Sequence, residues 1–555
     1  MIGLLVTVAL GGLIIYLVHL YMSRAMNYWK DKGVPYIAGT PLFGNMTDVI
    51  LRKASLGEVT LRVYRNLEGQ KFGGYFQFQT PVLMIRDPEL INNFLIKDFG
   101  NFHDRNPPNN SEEHDLMSGS LANMTGERWR SLRYKLTPTF TSGKLKRMFS
   151  QIVSCSDDII EHVATLPKGK GVDIRDISYK FTINVIGSVA FGLQIDSHKS
   201  VEGTSKMFIE MSKRFFSPSI FQFVKFFLRM NYPRLTEMLG LKLNDAEMDD
   251  FFLSLVTDTI KHREAEEQDA RSNNKKRDDF LQLMMDMRKS GNRSSKEEVA
   301  SSNTRSSREE VASYTRSKVI EEHLEAEDQF LMEQLKNVPQ EGKQAYDIEL
   351  TDKLMSAQTF LFITAGSETT AAVIHFALYE LAAKPQVQAK LIKEIDTILS
   401  NQDFTYQAVR DMKYLDNVLN ETLRLYPPGT MLTRFCTENY QVPGTDLVLE
   451  KGSQINVPVI GMHRDAKYFP QPDEFIPERF DEEIPKGVFF PFGGGPRICI
   501  AMRLALLEMK IFLARLLLRY NLKLSDKTQV PLKIRSDSIV QHVKGGVWLH
   551  FEHRK

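Results

Sequence analysis

The sequence predicts a mainly helical protein with a small strand lobe near the N-terminus, built as one large domain behind an apolar leading segment. Three observations predict this class. Most of the body repeats its apolar residues at helical spacing. Strand-like runs are few and early, and no Pro/Ser/Gly linker cuts the body into equal halves. The 555 residues are 42% hydrophobic and 25% charged, a globular balance. A net charge of +2 carries no global nucleic-acid signature. Three cysteines (Cys155, Cys436, Cys499) cannot build a disulfide framework, which fits a reducing compartment.

Residues 1–22 form the first element. Ile2 to Met22 contain no charged residue. At ~1.5 Å per residue a helix over this run spans roughly 32 Å, enough for a bilayer core. The basic residues Arg24, Lys30 and Lys32 follow it, which predicts an uncleaved single-pass anchor with a cytosolic body. A cleaved signal peptide is the alternative, but no convincing cleavage site is visible. Residues 23–45, with Pro35, Gly39 and Pro41, read as a stiff, basic, proline-rich hinge before a domain over 46–555. Asn45-Met46-Thr47, Asn123-Met124-Thr125 and Asn420-Glu421-Thr422 fit the glycosylation pattern; in a cytosolic body none carries sugar.

Two short strands are expected at Gly73–Phe78 and Val82–Ile85, around a turn at Thr80-Pro81. Regular patterning then breaks down over 208–228, which is dense in phenylalanine. It reads either as an ordinary core helix pair or as an apolar roof that meets substrate and membrane. Residues 264–341 look least globular. Arg293-Ser294-Ser295-Lys296-Glu297-Glu298-Val299-Ala300-Ser301 recurs twelve residues later as Arg305 to Ser313, a polar duplication that predicts a solvated insertion. His463-Arg464-Asp465 mimics the start of a kinase catalytic loop, but its downstream asparagine and a phosphate loop are missing. No dinucleotide fingerprint follows a strand.

Chemistry concentrates in a few places. Pro491-Phe492-Gly493-Gly494-Gly495-Pro496-Arg497-Ile498-Cys499-Ile500-Ala501 leads into an apolar helical run (Leu504, Leu507, Ile511, Ala514, Leu518). One cysteine at a helix mouth, behind three glycines, can offer a thiolate to a large flat cofactor, and the helix start favours the charged form. Ala365-Gly366-Ser367-Glu368-Thr369-Thr370 lies inside a helical run over about 351–383. Gly366 there costs roughly 1 kcal/mol against alanine, so it needs a reason. Small residues at 365 and 366 let a bulky ligand lie against the helix. The Thr369 hydroxyl can bond the Ala365 carbonyl and loosen the turn. Glu421 and Arg424 share a helix face. The helix over 127–135 is rich in arginine.

Phe492, Gly495, Arg497 and Cys499 match, position for position, the haem-binding signature of the cytochrome P450 family, and the chain resembles that family from about Val34 onward, apart from the insertion. Ala501 departs from the pattern, where glycine is usual. The resemblance implies the mostly helical haem-thiolate fold, haem b (iron protoporphyrin IX) as cofactor and Cys499 as the iron ligand. It implies Thr369 and Glu368 as the proton-delivering pair. Trp129, Arg133, Arg434 and Arg497, with Arg105 as a weaker candidate, become the partners of the haem carboxylates. Arg479, in Phe475-Ile476-Pro477-Glu478-Arg479-Phe480, would complete a buried triad with Glu421 and Arg424. Pocket candidates are Phe360, Phe362, Ala365, Thr369, Met431, Leu432 and the 208–228 stretch.

The implied reaction inserts one atom of dioxygen into a lipophilic small molecule, a xenobiotic or an endogenous lipid or hormone. Electrons come from an NADPH-dependent P450 reductase, with cytochrome b5 as a further candidate donor. Some of Arg128, Arg130, Lys135, Lys144, Lys146 and Arg147 are expected to form a basic face for an acidic donor, with plain helix solubility as the alternative. The anchor, hinge and Gly461-Met462-His463-Arg464-Asp465 segment look like microsomal detoxification enzymes of the endoplasmic reticulum, nearest to arthropod forms. Nucleic acid is not an expected partner. The alternatives are a haem-thiolate isomerase or dehydratase, and a non-catalytic haem- or lipophile-binding protein.

Overall fold

A helix of 32 residues, Asp352–Ala383, organises the protein. Its start is capped by Thr351, whose side chain accepts from the Leu354 N–H at 3.2 Å. It is apolar nearly all round, the pattern of a helix packed on every side. By length and composition it could cross a membrane, yet 78% of that stretch is buried inside the protein. The computed structural model describes residues 2–107, 115–167, 169–199, 202–216, 219–242, 244–268, 277, 279–297, 348–538 and 540–554.

Around this central helix pack Ile174–Phe191, Ala246–Gln268, Lys413–Leu425 and Met502–Arg519. Their inward residues form the larger core, with Phe181, Phe252, Ile363, Leu415 and Phe512 buried. Helix Phe280–Glu297 belongs to it too, through Phe280, Leu281, Met284 and Met285. The insertion expected from 264 therefore contains a core helix, because its apolar residues recur at helical spacing beneath a charged surface. Most of the duplicated segment lies outside the described residues.

The strand lobe is a four-stranded sheet in the order Phe72–Gln77, Thr80–Ile85, Gln454–Val457, Leu432–Phe435. The first pair is an antiparallel hairpin with Gln77 opposite Thr80. Its turn is therefore Phe78-Gln79, with Phe78 at φ +57°, not Thr80-Pro81 as the sequence suggested. Pro81 sits inside the strand, one residue before pairing with Gln454–Val457 begins, where its missing N–H leaves no broken ladder on that side.

The second core lies under this sheet. Residues 29–45, expected to be a connector, are docked onto it. Trp29 is buried and its indole N–H donates to the Tyr75 carbonyl at 3.2 Å. The Gly74 N–H bonds the Pro35 carbonyl at 2.8 Å. A Cβ on Gly74 would stand 2.3 Å from the Trp29 ring, so glycine is what admits the indole. Ahead of this segment runs the helix Ile2–Ala25, with Leu4, Leu10, Leu13 and Leu17 exposed.

Candidate active site

The two cores meet around a cavity of about 530 Å³. The central helix supplies one wall through Phe362, Ala365, Gly366, Thr369, Thr370 and Val373, a single face at helical spacing. The opposite wall is the Phe492–Ala501 loop. This loop folds as it does because of glycine. Gly495 has φ +66°, and a Cβ there would stand 1.8 Å from the Leu95 carbonyl oxygen. The Cys499 N–H closes the loop onto the Phe492 carbonyl at 2.9 Å.

Cys499 opens into the cavity, although the cavity itself is deep in the protein. Burial pushes its thiol pKa up; the Ala501 N–H, Arg133 and Arg105 only partly offset this. The helix begins at Met502, later than the sequence suggested, so its dipole does not by itself make the thiolate. A metal bound at the sulfur would do so.

Arginines form the rim. Arg105, Arg133, Arg434 and Arg497 all line the cavity, with Trp129 beside them. Arg497 is tied down: it donates to the carbonyls of His103 (2.8 Å), Leu121 (3.2 Å) and Met124 (2.7 Å) and stacks over Trp129 at 3.9 Å. Arg105 donates to the Arg497 carbonyl. Arg434 is different. Its Nη1 bonds the Thr433 carbonyl at 2.8 Å, but its buried Nε and Nη2 find no partner among the described residues. Burial pulls Arg434 and Arg497 well below the ordinary guanidinium range, and the nearby Arg105 adds to it. Asp104, 3.6 Å from Arg497, is a carboxylate at this cluster. The rim thus has unmatched buried cationic donors, which suit a ligand bearing carboxylates. The opposed apolar walls and the cavity-facing sulfur suit a flat, metal-bearing ring. The residues present fit haem.

The cytochrome P450 family model matches residues 35–308 and 300–550. The chain is 33% identical over 567 residues to cytochrome P450 9e2 of Blattella germanica, covering 98% of this chain and 96% of that one. It is 33% identical over 559 residues to cytochrome P450 6a2 of Drosophila melanogaster, covering 98% of each.

The chain belongs to the cytochrome P450 family.

This P450 is therefore a haem-binding oxidoreductase of the monooxygenase type, similar to the insect cytochromes P450 just named. The remaining expected residues fall into three groups. Ala365, Thr369, Phe362, Met431 and Leu432 line the cavity together with Phe492. The Thr369 hydroxyl donates to the Ala365 carbonyl, as its spacing suggested. Gly366 has a second reason to be small: a Cβ there would meet Ile186 Cδ1 at 2.6 Å.

Glu421, Arg424 and Arg479 also come together. Arg424 grips Glu421 with Nε–Oε2 at 2.6 Å and Nη2–Oε1 at 2.8 Å. Arg479 Nε reaches the same carboxylate at 3.2 Å. Arg424 further donates to the carbonyls of His463, Pro472 and Glu474, so this helix fixes the segment that precedes the cysteine loop.

Other residues lie elsewhere. Phe360 does not line the cavity; it is buried against Phe215 and Phe252, with ring centroids 5.7 and 5.0 Å away. Two residues along a helix turn the side chain by ~200°, so Phe360 and Phe362 face opposite ways. No described residue of 208–228 lines the cavity: Phe208 is core, while Phe221 is 66% exposed. Arg130 is buried and paired with Glu127 at 2.8 Å, and Lys135 donates to the Ile348 carbonyl at 2.8 Å. Neither is exposed; Arg128, Lys146 and Arg147 are.

Glu368 also turns away from the cavity. Its carboxylate stands 2.9 Å from Arg175 Nη2 and 2.5 Å from His542 Nε2. Burial raises its pKa, but His542 and Arg175 more than offset this and hold it below the usual carboxylate range. Sequence reasoning missed Arg175 and His542, which carry no local signal. It also missed Glu508, a buried carboxyl in the cavity wall. A signal for that one existed: it is a lone acid in the apolar run after Cys499.

Proposed function

We propose that this chain is a membrane-anchored haem-thiolate monooxygenase of lipophilic small molecules, fed by an NADPH-dependent flavoprotein reductase. The observation that carries the reading is the Cys499 sulfur opening into a buried cavity that the Ala365–Thr369 notch also lines, beside an arginine rim with unmatched donors. Cys499 would hold the iron; Arg105, Arg133, Arg434 and Arg497 would meet the haem carboxylates. When bound, haem supplies the reductive activation of dioxygen, one atom of which goes to substrate.

The chain's own residues do the rest. Phe362, Met431 and Leu432 offer apolar contact and help keep water away from the reacting atoms. Thr369 holds a hydroxyl at the cavity wall, where it can order a water or pass on a proton. Glu368 serves as its acid partner only by turning from Arg175 and His542. The helix Ile2–Ala25, long enough at ~1.5 Å per residue to span a bilayer, supports an anchor in the endoplasmic reticulum. The exposed Arg128 and Lys146 support docking of an acidic donor protein.

Two measurements test this. The reduced carbon-monoxide difference spectrum is expected to carry the thiolate-type band. A panel of lipophilic compounds, incubated with reductase and NADPH, is expected to yield singly oxygenated products. A thiolate band without any reductase-driven product would sink the monooxygenase reading. Turnover of lipid hydroperoxides without NADPH would replace it with an isomerase or dehydratase.

A further inference from the structure

One stretch of the cavity wall is loop. Residues 115–124 form neither helix nor strand, yet most of them are buried, and Leu121 and Ala122 line the cavity. With no helix or ladder to satisfy its backbone, such a segment depends on side-chain anchors. The central helix supplies one in Gln358. It stands one turn before Phe362, on the helix face that carries Phe362, Ala365 and Thr369. Its Oε1 accepts from the Leu121 N–H at 2.7 Å. Its Nε2 donates to the Gly119 carbonyl at 2.9 Å and to the Leu354 carbonyl of its own helix at 3.2 Å.

The partners fix how the amide points, since its oxygen meets an N–H and its nitrogen meets two carbonyls. Gln358 is 0% exposed, and a buried amide is unfavourable without such partners, so the contact is not easily given up. Leu121 is held on both of its backbone polar groups. Gln358 takes the N–H, while the carbonyl accepts from Arg497 Nη1 at 3.2 Å. Arg497 belongs to the cysteine loop and holds the Met124 carbonyl as well, at 2.7 Å. One residue of the wall is therefore clamped between the central helix and the cysteine loop. Further back, Arg229 Nη2 donates to Ser118 Oγ at 2.8 Å, and Asp115 Oδ1 accepts from the Ser118 N–H at 2.8 Å. These fix the start of the loop, and Gln358 fixes the part that meets the cavity.

We propose that Gln358 is a positioning residue for substrate. By clamping Gly119 and Leu121 it presents Leu121 and Ala122 as a preformed apolar part of the wall, and so sets the affinity for lipophiles large enough to reach them. A ligand that meets a wall already ordered loses no further entropy in ordering it. With the clamp released, the loop must be ordered at the moment of binding. Only a ligand that reaches the loop feels that change; a small one held at the haem does not. The inference rests on the function proposed above.

The test uses the full-length, haem-loaded protein. Gln358→Leu keeps the size of the side chain and removes both bonds to the loop. Backbone hydrogen exchange over 119–124 is expected to quicken on the order of tenfold in Q358L. Gln358→Glu should bring it back, because a buried carboxyl keeps its proton and offers the same acceptor and donor. Two ligands of the haem iron then probe the wall. Clotrimazole, a bulky triaryl imidazole, should bind Q358L on the order of tenfold more weakly, while imidazole itself binds as before. Unaltered exchange in Q358L overturns the proposal, and so does an equal change in both affinities. Should Q358L fail to take up haem, Leu121→Ala decides. It leaves Gln358 its backbone partners and trims only the wall, so the affinity for clotrimazole relative to imidazole should fall. An unchanged ratio there overturns the proposal. A missing thiolate band in the wild type is a separate failure, that of the function itself, and the exchange comparison does not depend on it.

Discussion

Cys499 offers the sharpest test at the scale of one residue. Cys499→Ser keeps the loop geometry, since the closing bond uses the backbone N–H, but replaces the sulfur. The thiolate-type absorption of the reduced carbon-monoxide complex should vanish; a surviving band would remove Cys499 as ligand. Thr369→Ala removes one cavity hydroxyl and the bond to Ala365. Haem binding should persist while product per NADPH falls on the order of tenfold. Glu508 also leaves a mark on stability. The unfolded glutamate titrates near 4.5 and the folded one near 8. Between these values the folded state holds the extra proton, so stability falls as pH rises through that window. Glu508→Gln should flatten this part of the urea-midpoint profile against pH. An unchanged slope would contradict the raised pKa.

At the scale of elements, Lys413–Leu425 matters through one ion cluster. Glu421 and Arg424 are fully buried, and Arg424 also holds three backbone carbonyls. Removing one partner leaves an unpaired buried charge, a loss on the order of 3–5 kcal/mol. Arg424→Ala should therefore give misfolded, haem-free protein. Arg424→Lys should rescue little, because an ammonium cannot reproduce the fork. Normal haem loading in the alanine variant would count against this role. The contact of the central helix with Ile174–Phe191 makes a second test. Gly366→Ala gains ~1 kcal/mol of helix propensity but drives a methyl against Ile186, an overpacking that costs about 1–3 kcal/mol. Melting should show a net loss, recovered when Ile186→Val is added. No recovery would place the clash elsewhere.

For the whole molecule, the question is how it sits in the cell. Deleting residues 2–22 should move much of the protein from the membrane fraction to the supernatant. Leu235, Met238 and Leu239 remain exposed and can hold part of it on lipid. Retention equal to the full chain would argue against the N-terminal helix as anchor. The sequons give the orientation. The Asn45 amide already donates to the Ala38 carbonyl at 3.1 Å and accepts from the Phe76 N–H at 2.8 Å. Asn123 donates to the Met117 carbonyl at 2.9 Å. Sugars would break these bonds, so no endoglycosidase shift is expected; a shift would put the body on the other side of the membrane.

The sequence by itself determined the helical class, the cysteine loop, the Thr369 bond and the partnership of Glu421 with Arg424. Each is a short-range pattern, in which three or four residues along one helix or turn fix a geometry. Only the tertiary structure decided which face of the central helix became cavity wall. Periodicity marks Phe360 and Phe362 alike as apolar, and a neighbour must choose between them. The same holds for charge. Glu368 is read as a cavity acid beside Thr369, yet Arg175, 193 positions away, draws it to the other side. Glu508 keeps its proton at neutral pH because folding buried it without a cation. A pKa is set by what lies in space around a group, and the chain order does not contain that.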